Sequence, residues 1–60
     1  MDQAMRERAE RAYRDAELCL IRASVARRKG DHQTFEQLSR EGRELLRKAE
    51  ELYWQWRKEE

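Results

Sequence analysis

The chain reads as all-α, an antiparallel two-helix hairpin, and three observations predict it. A heptad-spaced stripe of mostly small residues (Met5, Ala9, Ala12, Ala16, Cys19, Ala23 and Ala26) occupies the first half. A second stripe of mostly large residues (Phe35, Leu38, Gly42, Leu45, Ala49, Leu52 and Trp56) occupies the other half. A single Gly30-Asp31 pair separates them, and the two stripes mirror each other about it. Folding back at that point opposes Ala26 to Phe35, Ala23 to Leu38, Cys19 to Gly42, Ala16 to Leu45, Ala9 to Leu52 and Met5 to Trp56. Small residues facing large ones fill space without voids.

The first helix is expected over about residues 2–29, rich in Ala, Arg, Glu and Leu, which are all good helix formers. Arg27, Arg28 and Lys29 fall in its last turn, where cations complement the carbonyl end of the helix dipole. Gly30 supplies the left-handed residue that closes such a helix. Asp31 is placed to cap the next helix by accepting the backbone N–H of Gln33 or Thr34. The turn is therefore residues 30–31, short enough to force antiparallel neighbours. The second helix is expected over about residues 32–58, and at about 1.5 Å per residue each arm is roughly 40 Å long. The whole chain is one domain.

With 60 residues, a domain can bury little of its surface. Charged residues make up 45% of the chain and Pro is absent, which favours long solvated helices. The formal net charge of +1 argues against purely electrostatic binding to nucleic acid or to an anionic membrane. No run of about 18 apolar residues is present to span a bilayer. The first residues lack the apolar core of a signal peptide, and with one Cys the expected location is a reducing cytoplasm. Residues 1–29 carry eight Lys/Arg against five Asp/Glu, whereas residues 30–60 carry six against eight. Opposite signs on the two arms bear on orientation and partner choice more than on stability.

Residues suited to chemistry are few. His32 is the only histidine and lies at the turn without a second ligand nearby, whereas a metal site needs three or four converging ligands. Cys19 sits in the Ala seam without the neighbouring base that a nucleophile requires, and reads as a small buried hydrophobe. No Glu-x-x-His pair, Gly-rich phosphate loop or CxxC motif is present. The expectation is a protein with no catalytic residue, no cofactor and no metal. Gly42 costs about 1 kcal/mol relative to Ala inside a helix, and is read as a close crossing against Cys19.

The functional signal lies in apolar residues that one hairpin cannot cover. At about 100° per residue, Leu18, Ile21 and Val25 fall almost opposite the Ala seam of helix 1. Arg14, Arg22 and Arg28 rim this second stripe, giving an apolar centre with guanidinium edges, as in protein interfaces. On helix 2, Tyr53 and Leu46 widen the seam, and Trp54 points away from it, where Trp serves as an interface anchor. The expected protein-binding residues are therefore Arg14, Leu18, Ile21, Arg22, Val25, Arg28, Tyr53 and Trp54. The partner is another protein or a second copy that completes a helical bundle.

Two family resemblances accompany this pattern. Arg28-Lys29-Gly30-Asp31, Phe35, Arg40-Glu41, Arg43 and Leu45, with Lys48-Ala49-Glu50-Glu51-Leu52-Tyr53, resemble the small helical-hairpin E-component co-chaperones of the type III secretion needle. That resemblance implies a cytoplasmic co-chaperone docking on a tetratricopeptide-like chaperone, the two together keeping a needle subunit unpolymerised. Chain length, the mid-chain two-residue turn and the Ala/Leu layering are similar to the Rop-like hairpins. That similarity implies a homodimeric four-helix bundle binding structured RNA, although only Tyr13 falls near that family's exposed aromatic. The Leu18-Ile21-Val25 stripe is too apolar for phosphate contact. The regular layering also fits an engineered helical binder or assembly unit, whereas a seam Cys and a mid-helix Gly are choices a designer avoids.

Overall fold

The computed structural model describes residues 3–59 and contains two α-helices, α1 (Gln3–Arg28) and α2 (His32–Glu59). They lie side by side as an antiparallel hairpin 45 Å long and 13 by 10 Å in section. The helix ends agree with the sequence expectation to within one residue, except that residue 2, the expected start of the first arm, lies outside the described residues.

Local chemistry makes the turn. Gly30 has φ +80°, the left-handed conformation that an L side chain resists. Its N–H donates to the carbonyl of Arg27 (3.1 Å), and the N–H of Asp31 donates to the carbonyl of Ala26 (3.0 Å). These two bonds form a Schellman closure of α1 and satisfy carbonyls left over at the helix end. Asp31 Oδ1 then accepts the backbone N–H of Thr34 at 3.2 Å, while its carbonyl accepts that of Phe35 at 3.0 Å. The cap thus uses Thr34, one of the two expected donors. Hydrogen bonding by Thr34 holds the Asp31 carboxyl below its ordinary pKa.

The seam is built from small residues. Ala9, Ala16, Cys19, Ala23 and Ala26 of α1 are buried, together with Gly42 and Ala49 of α2. Phe35, Leu38, Leu45, Leu52 and Trp56, the large residues of the second stripe, are only partly covered. Among the described residues no large side chain is fully buried. The small-against-large layering is therefore present, but a two-helix seam leaves one side of every large residue open.

One layer differs from expectation. The space beside Gly42 is filled by Leu20, not by Cys19: a Cβ at Gly42 would stand 2.7 Å from Leu20 Cδ2 and 2.9 Å from its Cγ. The Cys19 thiol sits one helical turn nearer the loop, donating to the carbonyl of Leu38 at 3.3 Å, with Glu41 Oε2 at 4.0 Å. Leu20 leans across the helix gap because glycine leaves room there for a branched side chain.

Arginine–aromatic contacts hold both ends of the hairpin. The Arg27 guanidinium lies 5.8 Å from the Phe35 ring near the turn, and that of Arg6 lies 5.9 Å from the Trp56 ring at the open end. Such contacts contribute about 0.5–1 kcal/mol each at exposed sites. The exposed pairs Arg6–Glu10, Arg47–Glu44 and Arg47–Glu51 run along single helices and reinforce them only weakly.

Candidate interaction surface

Three apolar residues of α1 stand clear of the seam. Leu18 is 48% exposed, Ile21 51% and Val25 44%, and Trp54 of α2 reaches 60%. Because α1 is apolar on the seam side and again on the far side, α2 can cover only one of its two stripes. Arg14, Arg22 and Arg28 are exposed around the uncovered stripe.

The structure places Leu18 and Ile21 on opposite shoulders of that stripe. Leu18 and Arg22 line a shallow hollow with Asp15, Cys19, Leu38 and Leu45. Ile21 belongs to the other flank, where it lines a hollow with Tyr13, Ala16, Leu20, Ser24 and Leu46. Val25 lies between these shoulders on the helix wheel. The stripe is thus a ridge that both flanking hollows run up to.

Tyr53 is half-buried, and its ring stands edge-on to Tyr13 across the seam, with centroids 6.4 Å apart. It also contacts Trp54 (5.9 Å) and Trp56 (5.7 Å), and the Arg57 guanidinium lies 5.9 Å from its ring. Arg57 Nη1 donates to the Tyr53 hydroxyl at 3.5 Å. The expected binding residues of α2 therefore belong to an aromatic cluster near the open end, separate from the α1 ridge.

Tyr13, Leu20 and Leu46 are contributors that the ridge residues do not include. With Tyr53 they form a second apolar surface spanning both helices on one flank. The signal in the sequence is a pair of seven-residue steps, Tyr13 to Leu20 on α1 and Leu46 to Tyr53 on α2, with Ser39 seven residues before Leu46. Its meaning emerges only once the two helices are placed side by side.

Among the described residues no group of three or more metal-ligating side chains comes together, and no helix is long and apolar enough to cross a membrane. Cys19 is a free buried thiol. Comparison with family models, with curated proteins and with solved structures finds no match to the chain.

Proposed function

We propose that the chain is a non-catalytic protein–protein interaction module whose Leu18-Ile21-Val25 ridge docks into an apolar groove on a helical-repeat or helical-bundle partner. The observation that carries this reading is the exposure of all three ridge residues on a helix whose other face is already committed to the seam. A helix laid into a groove is read through anchors spaced three and four apart, the spacing of these residues. Arg14, Arg22 and Arg28 border the ridge and suit acidic groups at the groove edge, setting orientation and association rate more than affinity. Trp54 and Tyr53 offer a second contact near the open end.

The most specific form of this proposal is a co-chaperone acting in a reducing cytoplasm. Its partner is a tetratricopeptide-type needle chaperone, as the resemblance of the turn and second helix suggests. Titration of such a purified chaperone with the chain tests it. The expected result is binding that Leu18→Ala and Val25→Ala each weaken and that salt hardly changes, because an apolar contact releases few counterions. Steep loss of binding to structured RNA with salt and with Arg14→Ala, together with indifference of chaperone binding to Leu18→Ala and Val25→Ala, would instead support an RNA-binding role.

A further inference from the structure

We propose that the flank formed by Tyr13, Leu20, Leu46 and Tyr53, which adjoins the ridge at Ile21 and leaves Leu18 and Val25 outside it, is occupied by a second copy of this chain running antiparallel, with the two turns at opposite ends of a four-helix bundle. The first support is area. The hairpin exposes 5160 Å², whereas a compact 7.4 kDa monomer exposes about 4200 Å². The excess, roughly 950 Å² per chain, is close to the approximately 800 Å² that each partner buries in a standard interface.

The second support is shape. Along the flank, the half nearer the open end carries the rings of Tyr13 and Tyr53, whereas the half nearer the turn carries Leu20, Ser24 and Ser39. Leu46 lies near mid-length of α2 (His32–Glu59). A two-fold axis through that level sets Leu46 against Leu46 of the second copy and lays each Tyr53 over the small Ser39 of the other. With both turns at the same end, ring would meet ring and the serines would face each other across a gap.

Charge is the third support, and it selects the partner. Under the same two-fold, Arg43 comes opposite Glu50 of the second copy and Glu36 opposite its Arg57. All four residues are exposed and border the α2 side of the flank on the helix wheel. Each pairing occurs twice, so one operation brings four pairs of opposite sign together. The arrangement with both turns at one end would set Glu10 against Glu50. A surface complementary to itself in size and in sign is the requirement for a symmetric interface.

Sedimentation equilibrium of the full chain near physiological salt tests this. The wild type is expected to sediment as a dimer and Leu46→Glu as a monomer. Arg43→Glu and Glu50→Arg are each expected to weaken dimerisation about tenfold, since two exposed pairs turn repulsive, and the double variant is expected to recover it. Leu18→Glu and Val25→Glu, which lie on the ridge, are expected to leave the dimer intact. A wild type that stays monomeric overturns the proposal while leaving ridge docking to the chaperone titration. A dimer that ignores the charge reversals, or one that the ridge variants abolish, overturns it equally.

Discussion

Leu20 fills the space that Gly42 leaves, with its Cδ2 only 2.7 Å from where an alanine methyl would stand, while its own backbone nitrogen is 3.6 Å from that point. The backbones therefore leave room for a methyl group, and the side chain of Leu20 is what excludes it. Alanine is favoured over glycine by about 1 kcal/mol inside a helix. Gly42→Ala should realise most of that gain in a Leu20→Ala background and much less in the wild type, where Leu20 must swing aside. Urea unfolding of the four proteins in this double-mutant cycle measures the coupling. Equal effects of Gly42→Ala in both backgrounds would show that the two side chains are not in contact.

Cys19 and Ala49 probe how tightly the arms are apposed. Both are buried in the seam, and Ala49 is 0% exposed. Cys19→Leu and Ala49→Leu should each overpack it and destabilise the hairpin by about 1–3 kcal/mol. Neutral behaviour in urea unfolding would mean that the seam yields without strain.

The turn depends on the conformation of Gly30. Gly30→Ala places a Cβ in open space, so its cost is backbone strain alone, about 1–2 kcal/mol for an L residue held left-handed. Gly30→Asn should cost less, because asparagine visits that region more readily. The thermal unfolding midpoint should rank the three proteins in the order Gly, Asn, Ala.

Asp31 makes part of the stability pH-dependent. Its carboxyl is held below its ordinary pKa by the hydrogen bonds of Thr34, so its folded pKa lies below its unfolded one. A depressed carboxylate contributes stability that is fully present above the unfolded pKa, near 4, and is lost as pH falls through the folded value. Glu44, lowered by Arg47, titrates in the same acid range and in the same direction. Asp31→Asn keeps a capping oxygen but does not titrate. The stability advantage of wild type over this variant should therefore shrink as pH falls from about 5 to 3. Asp31→Ala should be less stable than either at pH 7. A wild-type advantage that stays constant with pH would exclude the cap carboxylate as the titrating group.

Periodicity made the hairpin legible because the two stripes and the Gly30-Asp31 pair are each local patterns. The buried members of the first stripe are those its spacing selects. Leu20 was not legible in the same way. It lies outside the seam spacing and reaches Gly42 only because a missing side chain on the other helix admits it. The flank of Tyr13, Leu20, Leu46 and Tyr53 was also hidden, since it is half on one helix and half on the other and depends on how the helices turn toward each other. The ridge is different. Leu18, Ile21 and Val25 belong to one helix, so their shared exposure follows from 3.6 residues per turn alone.

The hairpin leaves Leu18, Ile21, Val25 and Trp54 exposed, and the proposed docking and pairing both require another helical surface to cover apolar residues that α2 does not. A seam half made of alanine buries little against the conformational entropy of ordering 60 residues, at about 1.5 kcal/mol each. Circular dichroism of the purified chain across a dilution series into the low micromolar range tests this directly. Helicity and the unfolding midpoint should both fall on dilution, because mass action removes the cover. Full helicity with an unfolding midpoint independent of concentration would contradict the claim, since the isolated hairpin would then be sufficient by itself.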